Sequence, residues 1–537
     1  MGTQRQTEIF QAMARPEFYP HAVTAIAQRD THISKVFLTG PYAYKIKKAV
    51  NLEFLDFTTL EKRRHFCRQE VMLNRRLAPD VYLDVIPIIQ LDGRYRLGGS
   101  GPAVEYAVKM RQLPDDRSML RLVRRGKLEN ESLDALARIL AEFYNGASTS
   151  ARINTVGSWE TVWTNTEENF RQTERFAGQL LDERIFRIIR AATQTFLIRQ
   201  KALFERRIDR AKIRDCHGDL RAGHIYFADG IQIIDCIEFN DRFRYADITA
   251  DLAFLAMDLD YEGYPQIAQR MIEAYLRYDP DPELFVLLDF YKCYRAHVRV
   301  KINCFRLQEE NLSLQEKSRL TRETRRYLDL AYHYAVRFTR PTIWVICGLP
   351  ASGKSTLSHE LAKTLNAKVL QSDVVRKELF GLQPLASRDL PFEEGLYSPE
   401  ASSLTYGKLL MLAQEEIEKG ASVLLDATFG RRRQRDEATR LARDMDANII
   451  FIECISPLAV LKKRLAGRKA GVAIPDARLH HLQPINASFE PLEELPDEMH
   501  IRIDTEAPLE ASLRQILAHD YILLARQTAR TIKNRQG

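Results

Sequence analysis

Thr342-Ile343-Trp344-Val345-Ile346-Cys347-Gly348-Leu349-Pro350-Ala351-Ser352-Gly353-Lys354-Ser355-Thr356 joins an apolar run, a turn bounded by glycines, and the start of an amphipathic stretch that continues to Leu365. The order reads as strand, phosphate loop and helix. The G-x-x-x-x-G-K-[ST] spacing wraps backbone N–H groups around a triphosphate, brings Lys354 to the β- and γ-phosphates, and offers the Ser355 hydroxyl to Mg²⁺. Glycine stands at both ends of the turn because the backbone must approach phosphate without a Cβ. Gly348 through Thr356 are therefore the expected nucleotide contacts. They leave the first three hundred residues unexplained.

A chain of 537 residues exceeds what one core usually supports, so two to four folding units are expected. With 45% hydrophobic and 28% charged residues it has the composition of a globular protein. No run approaches eighteen consecutive apolar residues, so no membrane partner is expected. The first residues, Met-Gly-Thr-Gln-Arg-Gln-Thr-Glu, lack the apolar core of a secretory signal, and Gln6 stands where myristoylation wants a hydroxyl residue. The expected compartment is the cytoplasm. Seven cysteines without a C-x-x-C pair read as reduced structural thiols and imply no metal site. A net charge of +7 is mild for this length and suits an anionic substrate such as ATP.

Working outward from the loop, Arg340-Pro341 precedes its strand and sets a boundary near 335 to 341. Upstream, residues 35 to 48 alternate as two strands around Thr39-Gly40-Pro41, followed by helical patterning from Thr59 to Leu77. Strands are expected again at Val85–Arg96 and Ala103–Met110. Helices prevail from Leu120 to about Ile208, a strand-rich patch spans Ile225–Ile237, and helices resume from Leu252 to about Phe338. The expected domains are 1–335 and 341–537, with no internal repeat and no low-complexity linker.

Downstream of the loop, Val369-Leu-Gln-Ser-Asp373-Val-Val-Arg376 sets a carboxylate and a guanidinium one helical turn apart. Asp373 has a second reading as a helix N-cap. Val423-Leu-Leu-Asp426 is an apolar strand ending in a carboxylate suited to Mg²⁺ or its waters, or simply a strand terminus. Arg464 and Arg468, four apart, share one helical face that either closes over phosphate or faces solvent. Together these features resemble the small P-loop kinases, a group that includes gluconate kinase, polynucleotide kinase and chloramphenicol phosphotransferase and carries AAA-type ATPase labels. That resemblance implies Asp373 as the acceptor-activating base, Arg376 as an acceptor or phosphate contact, and Arg464 and Arg468 as lid residues.

The first half has chemistry of its own in Cys216-His217-Gly218-Asp219-Leu220-Arg221-Ala222-Gly223-His224, followed by Ile233-Ile234-Asp235. A loop carboxylate and a second one at a strand end, sixteen residues on, suit phosphoryl transfer: one orients the acceptor hydroxyl, the other holds Mg²⁺. His217-Gly218-Asp219-Leu220 with Asp235 resembles the motifs of the aminoglycoside phosphotransferase family, relatives of the protein kinases. The resemblance implies Asp219 as catalytic base and Asp235 as metal ligand. It also implies Lys45 as the strand lysine gripping the α/β-phosphates and Glu70 as its ion-pair partner, with Lys47 on the same strand face as an alternative. His224 stands where the family carries a metal-binding Asn, a poorer ligand for Mg²⁺. Only Gly40 lies between the first strands, so the family's glycine-rich phosphate cover is missing. His217 and His224 also fit a plain reading as hydrogen-bonded core histidines.

The tandem arrangement resembles bacterial proteins described as bifunctional aminoglycoside phosphotransferase/ATP-binding proteins. It implies an α+β protein-kinase-like N-terminal domain followed by an α/β P-loop nucleoside-kinase-like domain with a parallel sheet. The expected activity is ATP- and Mg²⁺-dependent phosphotransfer to a hydroxyl of a small molecule. Two alternatives stand beside it. The first is a polynucleotide 5′-hydroxyl kinase, using Arg431-Arg-Arg-Gln-Arg435 for phosphate contacts. The second is a P-loop kinase regulated by an N-terminal pseudokinase or binding module. Met257-Asp-Leu-Asp-Tyr-Glu262 either attracts a cationic acceptor or ends a helix.

Overall fold

Alternating apolar and polar positions make Ser34–Leu38 and Tyr42–Lys47 an antiparallel pair, turned by Gly40 at φ +96°. In the computed structural model, which describes residues 2–52, 55–309, 312–383, 395–467 and 477–536, this pair belongs to a six-stranded sheet. Its order is Ala27–Asp30, Ser34–Leu38, Tyr42–Lys47, Ala103–Arg111, Tyr82–Leu91, Arg94–Leu97, every neighbour antiparallel. The pleat gives the sheet two faces. Phe37, Tyr44 and Ile46 pack with Ile9 and Met13 of the helix Gly2–Met13. Ala43, Val108 and Met110 pack with Cys67 and Val71 of the helix Leu60–Asn74, which Thr59 caps through its hydroxyl. The second packing carries Glu70 to Lys45, since both lie on that face.

The rest of this unit is mainly helical, including Asn130–Gly146, Ile248–Tyr261 and Pro265–Tyr278, with a short hairpin, Ile225–Phe227 and Ile231–Ile233, and a second short ladder, Ile213–Asp215 with Tyr245–Asp247. A fully buried pair, Arg207 with Asp247, joins the end of Lys201–Asp209 to the start of Ile248–Tyr261 at 2.7 and 2.9 Å. Removing one partner of such a pair strands a buried charge at a cost of about 3–5 kcal/mol.

The second unit contains a five-stranded parallel sheet ordered Lys368–Gln371, Val423–Asp426, Thr342–Cys347, Asn448–Ile455, His500–Asp504. Every residue of Thr342–Cys347 is buried, because a central parallel strand has helices on both faces; hence its continuous apolar run. Ile343, Val345, Val423, Leu425 and Phe451 meet Leu409, Ala413 and Ala438 of the helices Pro399–Glu418 and Arg432–Asp444. Register sets Ile346 beside Asp426 and Gln371 beside Asp426, which aligns three strand ends at one edge. Ligands of open parallel sheets bind at that edge.

Chain packing divides the molecule differently from the expected boundary. One compact unit comprises Met1–Asn165 with Glu205–Asp279, the other Thr166–Phe204 with Pro280–Gly537. The expected domain 1–335 thus gives up the long helices Glu183–Arg199, Glu283–Arg306 and Leu314–Thr339 to the second unit. Aromatic packing holds these helices together: Phe196 stacks on Phe290 at 4.8 Å and meets Phe338 edge-on at 5.1 Å. Polar contacts then tie Glu183–Arg199 and the residue after it to the nucleotide layer, with Gln200 donating to the Leu365 carbonyl at 3.1 Å and Asn366 donating to that of Arg199 at 2.6 Å. The sequence reading also assigns no element before residue 35, where the structure has the helix Gly2–Met13 and the strand Ala27–Asp30.

Candidate active sites

The strand Thr342–Cys347 releases the chain into a loop that only a left-handed backbone can follow. Gly348 has φ +130°, and a Cβ there would lie 2.5 Å from the Cys454 carbonyl oxygen; Ala351 has φ +64° and Gly353 φ +93°. Gly353 caps the helix Lys354–Leu365 without a side chain, so the first-turn N–H groups face the loop. Lys354 bridges the loop from inside, donating to the carbonyls of Gly348 at 2.9 Å and Leu349 at 2.8 Å. Burial lowers its pKa against the opposing pull of Asp426. The Ser352 hydroxyl is buried and has no hydrogen-bond partner. An unsatisfied buried donor, a free helix N-terminus and a lysine form a cradle suited to phosphate.

Asp426 accepts from the Ser355 hydroxyl and from Gln371 Nε2 at 3.2 Å, and burial raises its pKa. The hydroxyl and carboxylate are hard oxygen donors of the kind Mg²⁺ takes. Asp373 lies within the first turn of Ser372–Leu379, whose N-cap is Gln371; the capping alternative therefore does not describe it. Arg376 donates to Asp373 Oδ1 at 2.6 Å, stacks over Tyr397 at 4.7 Å, and keeps its buried Nε without a partner. Among the described residues only Oδ1 of Asp373 is engaged. The loop, Asp373, Arg376, Asp426, Arg431 and His481 line one cavity of about 800 Å³. Arg464 also lines it, but its guanidinium donates to the Ala351 carbonyl at 3.2 Å and to Thr505 at 3.3 and 3.4 Å. It buttresses the loop in this state. Arg468 lies outside the described residues.

In the first unit Lys45, Glu70, Lys47 and Asp235 form a chain of ion pairs. Lys45 Nζ lies 2.8 Å from Glu70 and 2.6 Å from Asp235, and Lys47 lies 2.7 Å from Glu70 and bonds Glu238. Glu70 thus serves both lysines, and the fully buried Lys47 has its charge met by two carboxylates while Lys45 reaches the site. Burial opposes charge on Lys45, but Asp235 and Glu70 raise its pKa well above the ordinary value.

The catalytic-motif loop is pinned by Asp251, which accepts from the N–H groups of His217 at 2.7 Å and Gly218 at 2.8 Å. His217 is a buried neutral imidazole whose Nε2 faces the Ile234 carbonyl at 3.1 Å, while Nδ1 accepts from the Asp219 N–H at 3.3 Å. Burial pushes its pKa down to about 3. Asp219, His224 and Asp235 converge, with one ligand atom from each within 4.8 Å of the others. Yet Arg221 donates to both oxygens of Asp219, at 2.8 and 2.9 Å. Burial pushes the Asp219 carboxyl up, but the charge and hydrogen bonds of Arg221 outweigh it, leaving a pKa of about 2. Asp258 accepts from the Ala222 N–H at 3.0 Å and Glu262 pairs with Arg124, so those two acids of the 257–262 cluster are engaged.

Sequence reasoning passed over Arg221, Glu238, Asp251 and Tyr397. Arg221 lies inside the motif, two residues from Asp219, but neither its charge nor that spacing says that it turns onto Asp219. The other three carry no local pattern, because they arrive from distant segments.

Among comparisons with known proteins, the model described as "Phosphotransferase enzyme family" matches residues 118–285, and the model described as "AAA domain" matches residues 343–492. Uncharacterized proteins of Mycobacterium tuberculosis and Mycobacterium bovis are 32% identical over 488 residues, covering 91% of this chain and 94% of theirs. A sugar kinase structure from Janibacter sp. HTCC2649 is 23% identical, with a TM-score of 0.26 over 33% of this chain and 92% of that one. A choline/ethanolamine kinase family protein from Mesorhizobium loti is 12% identical, with a TM-score of 0.36 over 60% of this chain and 99% of that one. Among the described residues no helix is long and apolar enough to cross a membrane.

Proposed function

From the premise that the chain belongs to a family joining a phosphotransferase domain to a P-loop kinase-like domain in one polypeptide, and is a kinase, we propose that its second unit transfers the γ-phosphoryl group of ATP to a hydroxyl of a small molecule. Magnesium-bound ATP supplies the transferred group and shields its charge. Every other part is the chain's own. Lys354 and the N–H groups from Gly348 to Thr356 bind the phosphates. Ser355 and Asp426 would hold the Mg²⁺ that accompanies ATP. Asp373 accepts the proton of the acceptor hydroxyl, and Arg376 stands beside it to neutralise charge building on the transferred group.

The observation that carries this reading is the difference between the two candidate bases. Asp373 has one oxygen engaged, in a cavity shared with the phosphate loop. Both oxygens of Asp219 are engaged by Arg221, and a carboxylate with a pKa of about 2 is a weak base at neutral pH. That contrast also supports a second reading for the first unit, as a nucleotide-binding regulatory module.

Incubation with labelled ATP and a panel of metabolites and oligonucleotides, with products identified by mass spectrometry, tests the proposal. The expected label lies on a small-molecule hydroxyl, and Asp373→Asn lowers kcat about 10²–10⁴-fold with ATP binding retained. A label on oligonucleotide 5′ ends replaces the acceptor class with nucleic acid. Unchanged kcat in Asp373→Asn removes Asp373 from the chemistry.

A further inference from the structure

Arg221 Nη2 lies 2.9 Å from Asp219 Oδ2 and 2.8 Å from His224 Nε2, so a single cationic nitrogen touches two of the three groups that converge in the first unit. A guanidinium only donates, so Nε2 of His224 is the accepting nitrogen and Nδ1 carries the proton, which it gives to the Asp219 carbonyl oxygen at 3.0 Å. An imidazole whose N–H is held by a backbone carbonyl is oriented as metal-ligating histidines are. The third group follows the same pattern. Asp235 has Oδ1 on Lys45, while Oδ2 lies 3.7 Å from His224 Nε2, a separation that two donors about 2.2 Å from one shared ion span at a near-tetrahedral angle.

The backbone fixes this arrangement. Asp235 sits at φ +67° with its N–H on the Tyr82 hydroxyl at 3.1 Å, and Gly218 at φ +87° has no room for a Cβ, which would meet the Phe243 carbonyl oxygen at 2.9 Å. The backbone around the ligand-bearing residues is thus held, while Arg221 reaches the cluster through a long side chain whose guanidinium bonds Asp219 and His224.

We propose that Arg221 is a built-in stand-in for a divalent cation: it occupies the metal position between Asp219 and His224, and a metal ion that accepts imidazole displaces it. Two carboxylates and one neutral imidazole favour a first-row transition ion over Mg²⁺, which prefers oxygen alone. The exchange replaces a single positive charge with a double one and releases the guanidinium beside the site, where the phosphates of a nucleotide can pair with it. The first unit is then switched by metal identity. This inference rests on the family assignment of the first unit and not on the chemistry proposed for the second.

Mn²⁺ binding to the full chain without nucleotide, followed by electron paramagnetic resonance, tests it. Wild-type protein saturated with Mn²⁺ should show the nuclear coupling of one imidazole nitrogen, lost in His224→Asn. Arg221→Gln should bind Mn²⁺ at least tenfold more tightly than wild type, and Arg221→Lys, which keeps a cation, should gain less. Mn²⁺ should outcompete Mg²⁺ in wild type, with the preference narrowed in His224→Asn. Absence of nitrogen coupling in saturated wild-type protein overturns the proposal without any variant. Equal affinity in a folded Arg221→Gln protein overturns the displacement. Loss of nitrogen coupling with unchanged kinase activity would leave the reading of the second unit standing, so the two fail separately.

Discussion

His217 and His224 differ by seven positions and by what holds their rings. His217 has both ring nitrogens committed in the neutral form, between the Ile234 carbonyl and the Asp219 N–H. Protonation would turn the accepting nitrogen into a donor facing a donor, and burial already disfavours the charge. The folded pKa of about 3 lies below the unfolded value of 6.5. Above pH 6.5 the ring is neutral in both states and stability is unaffected by it. Below 6.5 the unfolded state takes up the proton and the folded state does not, so stability falls as pH drops from 6.5 toward 3. At pH 5 the loss amounts to about 2 kcal/mol. Hydrogen exchange of residues 213–237 at pH 7.5 and 5.0 should show that loss in wild type and a smaller one in His217→Gln; equal losses would contradict the account. The sequence reading offered His217 and His224 a common role as core histidines, and burial with satisfied bonds supports it for His217. The pairing of Arg221 with Asp219 was not legible, because charge and spacing do not tell which way a side chain turns.

At the scale of elements, the strand–loop–helix Thr342–Leu365 was legible throughout, because its apolar run, glycines and lysine are all local signals. Gly348 tests how tightly that unit is built. A Cβ 2.5 Å from the Cys454 oxygen, on a backbone at φ +130°, must displace the neighbouring strand Asn448–Ile455 or the loop. Such strain costs about 1–3 kcal/mol. Gly348→Ala should therefore lose nucleotide binding, read with a fluorescent ATP analogue, while the first unit keeps its hydrogen-exchange protection; unimpaired binding would contradict the loop geometry. The helix Gly2–Met13 was illegible for the opposite reason. Its sequence is mostly polar, and it is held by Ile9, Met13 and Gln6, whose amide donates to the Lys47 carbonyl at 2.8 Å and Glu105 at 2.9 Å. Those partners belong to a sheet face that exists only after the chain has folded.

At the scale of the whole molecule, two phosphotransfer folds lie in one polypeptide, and their sequence boundary is not their packing boundary. Helical patterning announced the segments 120–208 and 252–338 but not the unit each part would join. Packing of Phe196 against Phe290 and Phe338, and of Arg207 against Asp247, decided that by contacts distant in sequence. Asp373, Asp426 and the loop met at one sheet edge for a reason the sequence did carry: parallel strands place their carboxyl ends together. The central claim is that acceptor phosphorylation happens at that edge. Its most direct test is transfer of labelled phosphate from ATP to the identified acceptor, compared between Lys354→Ala and Asp219→Asn. The account predicts that Lys354→Ala loses transfer by about 10²-fold or more, the scale of a removed electrostatic contact to the transition state. Transfer that survives in Lys354→Ala and vanishes in Asp219→Asn would contradict it.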